Sequence, residues 1–533
     1  MNDWPLSDCV GMCCFDEQSK RNTSSPETCS FNDSDGITKP VTFKTFEDIP
    51  GPKGLPILGN VIDLVKVSAN PFDYFADLIR EYGEIVKITA FNKKMILLAN
   101  PEMMMELMKK DEGRITLEAF RKFKLERNMA LAPVEMYYEE NWQQVRQLFN
   151  VAMKPEFLET IVIPQVTELG SELLHSIVKN LKPLGNDTYE LSNSINVINR
   201  YAFNTVIKTF LGVKMNDELA KQLPFDINGF VNNVVVGLDL VLRIQNGPPL
   251  FKLFKTKDYR IMEENMIQSF ERAQYCIDLF GKEQPVGSKP RMKELLDERS
   301  KTMDRGQDNV TMVMASFLMA GSDVTSRVMS VLLHRIAHEP EYQDKLYEEL
   351  EEVFGEPTLS EYTSENGLEL TNEKLKKCKL VRNFVEENMR LNHLAKISTA
   401  RRLSKDITVG EYLFEKDTQV MMFEDPQFTE EYIPNSTQFI PERHEKGNPN
   451  AILKTFPGPF GRGARKCPGE RVAFVEMWQF VINIVRNFTV SHKEFPKFEI
   501  GTSLYYVDME KYKVEFTPRK HLAQLVRNSE KLL

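Results

Sequence analysis

Apolar positions recur at helical spacing through most of the middle of this chain, and the exceptions mark out a smaller region of different character. A helix is expected over about Pro71 to Tyr82, followed by two strand-like runs, Glu84 to Thr89 and Lys94 to Ala99. From Pro101 to about Lys377 the pattern is overwhelmingly helical. It breaks near Pro155, Pro183, Pro224, Pro248 with Pro249, Pro285 and Pro340, where a missing N–H and a fixed φ end a helix. One long apolar helix is expected from about Val310 to His338. After Arg390 the chain turns to short strands and coil, a helix resumes just beyond Cys467, and strand-like pieces return between about Leu504 and Phe516. The pattern predicts a mainly α fold with a smaller β-rich lobe, starting at the proline- and glycine-punctuated segment Ile49 to Asn60.

Length and composition narrow the picture. The chain has 533 residues, enough for two or three domains by length alone. Residues 1–45 are polar and acidic and are expected to be disordered, and residues 519–533 read as a solvated tail. The longest apolar run in the first segment, Cys9 to Phe15, is far short of the roughly 20 residues of a spanning helix, so no transmembrane anchor is expected. A net charge of −9 carries no footprint for nucleic acid. The seven cysteines, at 9, 13, 14, 29, 276, 378 and 467, form neither a dense disulfide framework nor a zinc spacing, which fits an intracellular, reducing setting. Cys276 and Cys378 are expected to be buried structural thiols, and Cys9, Cys13 and Cys14 inert thiols in the tail.

Candidate chemistry concentrates in Phe460-Gly461-Arg462-Gly463-Ala464-Arg465-Lys466-Cys467-Pro468-Gly469. Glycines let backbone N–H groups turn toward the sulfur, cations stand nearby, and a helix start follows, all of which favour a thiolate. Every specified position of FxxGxRxCxG is filled, so the loop resembles the cysteine loop of the cytochrome P-450 family. The resemblance extends over about residues 46–518. It implies one haem domain of the cytochrome P-450 fold, with haem b as cofactor, Cys467 as the axial iron ligand, and Phe460 and Gly469 beside it.

Three further motifs stand in the family's order. Glu387 and Arg390 share a helical face, and Arg443, in Pro441-Glu442-Arg443, completes the family's buried structural triad. Trp142 and Arg146 match WxxxR, and with Arg465 and Arg401 they resemble the partners of the haem carboxylates; Arg402 is the alternative to Arg401. Ala320-Gly321-Ser322-Asp323-Val324-Thr325 matches the distal helix, where the resemblance implies that Gly321 allows close approach to the iron and that Asp323 with Thr325 delivers protons. The chain departs from the family here. The residue after Asp323 is Val324, which has no proton to give, and Thr325 lies about 100° further round the helix. The segment after Arg390 is one residue longer than usual and that between Val420 and Pro441 several residues short.

The segments Gly247 to Lys257 and Ile336 to Leu350 look most like the animal mitochondrial branch, which takes electrons from a small acidic ferredoxin. Lys376, Lys377, Lys379 and Arg382 supply a basic patch for such a partner, although Glu386 occupies one of the branch's two docking positions. Leu250, Phe251, Leu253 and Phe254 among lysines fit a peripheral membrane contact or a core segment. The expected activity is hydroxylation of a lipophilic, sterol-like or fatty-acid-like substrate with dioxygen and two electrons, at the matrix side of the mitochondrial inner membrane or, alternatively, at the endoplasmic reticulum. A haem-thiolate isomerase or lyase acting on peroxide-type lipids is the alternative that Val324 raises. A haem-bearing lipid or gas binding protein is the non-catalytic one.

Overall fold

A computed structural model of the chain describes residues 43–530 apart from 68–70, 92, 248, 283–290, 365–366, 395, 397–399, 449–455, 493–494, 498, 501–504, 507 and 510. The expected disordered segment thus lies outside the described residues up to position 42, with Cys9, Cys13, Cys14 and Cys29, and so does the break at Pro285. The Lys44 N–H bonds the Glu411 carbonyl at 2.9 Å and Phe46 is buried.

The β-rich lobe is built by alternation. Strands β1 (Ile85–Ala90) and β2 (Lys93–Leu98) pair antiparallel, and β2 runs parallel to a strand from far along the chain, Gln419–Met422, which pairs in turn with Arg401–Arg402. Ile96, Leu98, Val420 and Met422 face one apolar cluster, with Met104 and Leu107 of the helix Pro101–Lys110. Val86, Ile88, Leu97 and Met421 face the other, with Phe72, Phe75 and Ile79 of helix α1 (Pro71–Tyr82). Because adjacent strand residues point to opposite faces, both sides of this sheet are buried by the same short sequences.

The helical body follows in order as α2 (Trp142–Phe149), α3 (Ser194–Leu211), α4 (Ile227–Asn246), α5 (Lys257–Phe280), α6 (Gly306–His338), α7 (Lys379–Leu391), α8 (Glu470–Asn487) and α9 (Lys520–Glu530). The 33-residue α6 runs through the middle and packs against α3, α4, α5 and α8. By length and composition α4 resembles a membrane span; it packs against α5, and 39% of the apolar stretch is buried. Cys276 and Cys378 are fully buried, and burial pushes both thiols up to about 12, as expected of inert core cysteines.

Two expectations are corrected. The stretch 101–377 is not helical throughout: Leu181–Gly185 and Thr188–Leu191 form a hairpin that joins Phe488–Ser491 and Glu515–Pro518 in a second four-stranded sheet. Its two-residue turn, Asn186-Asp187, has φ of 52° and 57°, a left-handed geometry that Asn and Asp tolerate. The segment after 518 is not a solvated tail, because α9 buries Leu522 and Val526, one helical turn apart, against the core.

Candidate active site

Cys467 sits between a short turn, Gly463–Arg465, and the first turn of α8. Gly461 and Gly463 adopt φ of 65° and 72°, and a Cβ on Gly463 would lie 3.0 Å from the Met108 carbonyl oxygen, so glycine is required there. The Cys467 N–H donates to the Phe460 carbonyl at 2.8 Å, and the Gly469 N–H donates to the sulfur. Burial pushes the thiol up; that Gly469 bond and the charges of Arg146 and Arg114 act in the opposite sense and favour the thiolate. Gly469 itself has an ordinary φ. A Cβ there would stand in ordinary contact, 3.9 Å from the sulfur and 3.7 Å from the Phe317 ring of α6.

On α6 burial is nearly complete from Met312 to Ala337, and the positions left open are Ser316, Ala320, Gly321 and Val324. At 3.6 residues per turn, Ser316, Ala320 and Val324 share one face and Gly321 stands at its margin. Val324, at 38% exposure, is the side chain that the helix presents to this space. Thr325 is buried and turned away, so the structure does not place it with Val324. Ser322 is buried too, its hydroxyl bonded to the Leu318 carbonyl at 2.6 Å. Asp323 is buried, with Oδ1 2.6 Å from Arg327 Nε one turn along and Oδ2 without a hydrogen-bond partner. A Cβ on Gly321 would come within 2.8 Å of Val206 Cγ2 on α3, so Gly321 lets two helices meet.

Cations gather at the other margin. Arg146 donates to Asn150 Oδ1 at 2.8 Å and to the carbonyl of Lys466, next to the cysteine. Arg465 bonds the Glu112 and Pro133 carbonyls and lies over the Trp142 ring, 3.3 Å from its centroid. Arg401 is buried at the sheet edge, whereas Arg402, pointing the opposite way, pairs with Asp417 at 2.8 Å. A fourth guanidinium, Arg114, carries no motif and was not legible in the sequence. Burial lowers Arg401 to about 10 and Arg465 to about 9, and repulsion by Arg114 contributes to both shifts. Among the described residues none of the four is in an ion pair, and Arg401 Nε and Arg465 Nη2 have no partner at all. Like charges so assembled need an acidic group between them.

The triad forms below the cysteine loop. Glu387 is completely buried and accepts two bonds from Arg390 at 2.8 Å, one from Arg443 Nε at 3.0 Å and one from the Ile440 N–H at 3.0 Å. Arg443 also donates to the Pro434 and Asn435 carbonyls at 2.6 Å. The sequence reading missed His444, which bridges Glu387 (3.0 Å) and Glu386 (3.2 Å). Burial alone would raise Glu387; the bonds from Arg390 and His444 outweigh it and bring it down to about 2. Burial alone would lower His444, and the two carboxylates raise it instead.

The sign of the pH dependence follows. Glu387 stabilises the fold above its ordinary 4.5, and that contribution is lost as pH falls toward 2. His444 stabilises it fully below 6.5 and loses that contribution as pH rises through its elevated value. Melting temperature is therefore expected to decline as pH rises above 6.5, and His444→Phe is expected to flatten that decline; an unchanged profile would contradict the role given to His444.

A cysteine sulfur, four cations in no ion pair among the described residues and an open stretch of α6 fit haem b with its two carboxylates. Comparison with known proteins agrees: the family model for cytochrome P450 matches residues 49–516. The chain belongs to the cytochrome P450 family. P450 proteins bind haem and act as monooxygenases, and the mainly α fold with a β-rich lobe is theirs. Similar proteins include cytochrome P450 10 of Lymnaea stagnalis, 23% identical over 93% of this chain and 89% of that protein. Probable cytochrome P450 12a5, mitochondrial, of Drosophila melanogaster is 24% identical over 89% of this chain and 91% of its own length. Beta-amyrin 11-oxidase of Glycyrrhiza uralensis is 22% identical, covering 82% and 84%.

Proposed function

We propose that this P450 hydroxylates a lipophilic, sterol-like or fatty-acid-like substrate, with electrons from a ferredoxin-type donor. The observation that carries this reading is the open apolar face of α6 at Ala320 and Val324, about one turn beyond Phe317, whose ring lies beside Gly469 of the cysteine loop. In this reading Cys467 ligates the iron, flanked by Phe460 and Gly469, while Arg401, Arg465, Arg146 and Trp142, joined by Arg114, hold the haem carboxylates. Bound haem supplies the reductive activation of dioxygen. Asp323, with its free carboxylate oxygen, is the proton source; Thr325 faces away from the open stripe.

Lys376, Lys377 and Lys379 are exposed and in no ion pair among the described residues, which supports an acidic donor. The names of some relatives support a mitochondrial setting, with the endoplasmic reticulum as the alternative. Leu253 and Phe254, exposed to 82% and 58%, support a peripheral membrane contact, whereas Phe251 is core. Liposome binding is expected to fall about tenfold or more in a Leu253→Ser, Phe254→Ser variant. Undiminished binding would contradict this contact.

Val324 favours a second reading, an isomerase or lyase whose substrate brings its own activated oxygen. The test is labelled oxygen gas with a substrate chosen by its effect on the haem spectrum. Incorporation of one labelled atom is expected, and its absence from a turned-over product would favour the second reading. In the monooxygenase, the missing hydroxyl is expected to let hydrogen peroxide escape, and Val324→Thr is expected to raise the product formed per reductant consumed. No gain from that substitution would contradict the part given to position 324.

A further inference from the structure

Three aromatic rings join the outer face of α7 to the cysteine loop. Phe460 and Phe474 have ring centroids 5.1 Å apart, and Phe474 and Trp478 stack at 5.5 Å with 24° between planes. At the inner end the Phe460 carbonyl accepts the Cys467 N–H at 2.8 Å. At the outer end the Arg382 guanidinium lies 5.4 Å from the Trp478 ring centroid, one helical turn from the exposed Lys379. The three rings are half-buried, and the Trp478 N–H has no hydrogen-bond partner, so the indole is not fixed there by the polar contact that a buried tryptophan usually makes. Glu386, the acidic residue that interrupts the cationic face, is engaged by His444 at 3.2 Å and shares its charge with that ring.

We propose that electrons reach the Cys467 site along Trp478, Phe474 and Phe460 from a small acidic iron–sulfur protein docked on the face formed by Lys376, Lys377, Lys379 and Arg382. This rests on the electron-accepting function proposed above and adds its route. In each passage one electron leaves the donor's reduced cluster, which is oxidised, and the ferric iron held by Cys467 is reduced to ferrous. No bond breaks and no proton moves. Contiguous π systems shorten the gaps that an electron must cross through saturated side chains, and the positive face orients the donor over the outer ring.

The test uses the haem-loaded full chain and a small acidic [2Fe–2S] ferredoxin reduced by a light flash, with ferrous haem trapped by carbon monoxide. Trp478→Leu and Phe474→Leu are each expected to slow reduction at saturating ferredoxin by about tenfold or more. Donor affinity and the dithionite-reduced spectrum should be unchanged, and Trp478→Phe, which keeps a ring, should restore most of the rate. Two leucine variants are used so that loss of haem in one leaves the other to decide. An undiminished saturating rate in a haem-loaded leucine variant, or a loss that more ferredoxin recovers, overturns the route. An unmodified protein that dithionite reduces and the ferredoxin does not overturns the electron-accepting reading itself, and the route with it.

Discussion

Arg443→Ala is expected to lose folded, haem-loaded protein. The side chain is 2% exposed and makes three bonds: to Glu387 and to the carbonyls of Pro434 and Asn435. Alanine removes all three and leaves a fully buried carboxylate that Arg390, His444 and the Ile440 N–H must compensate. Breaking a buried pair of this kind costs about 3 to 5 kcal/mol, and each stranded carbonyl adds to it. That is a large part of the stability of most domains. Lysine at 443 keeps the charge but cannot reproduce the planar fork, so Arg443→Lys is expected to fall between. The double change Glu387→Gln with Arg443→Met should destabilise by less than the sum of its single changes, because neither partner is then left alone. Normal haem content and melting temperature in Arg443→Ala would contradict this account of the triad.

The sequence was most legible where one physical constraint dominates. The helix Pro71–Tyr82 and the long α6 could be read from apolar spacing because their buried faces leave no other solution. The cysteine loop and the Glu387 triad were legible because their residue types are rare in that order. The hairpin at 181–191 was hidden by its helical neighbours, although Asn186-Asp187 was a turn signal in plain view. α9 was missed because only Leu522 and Val526, among many polar residues, mark its buried face. Arg114 lies in coil, where no period constrains a side chain, and only tertiary folding brings it to Arg401 and Arg465. The burial of Thr325 and the close approach of Gly321 to Val206 depend on helix rotation. The motif alone does not fix that rotation; the packing of α3 against α6 does.

The central claim is that Cys467 holds haem iron as a thiolate. Its sulfur is approached by the Gly469 N–H and by the charges of Arg146 and Arg114. Alanine at this position removes the only sulfur in the loop and with it the electron donation that sets a thiolate-bound haem apart from one held by histidine. The effect expected is complete loss of a signal, since the fold around the loop is held by Glu387, Arg390 and Arg443, none of which the substitution touches. The decisive measurement is the absorption spectrum of the reduced protein under carbon monoxide, for the unmodified chain and for Cys467→Ala. The unmodified protein is expected to give the red-shifted Soret band of a thiolate ligand and the variant to lack it; the same band in both proteins would contradict the assignment.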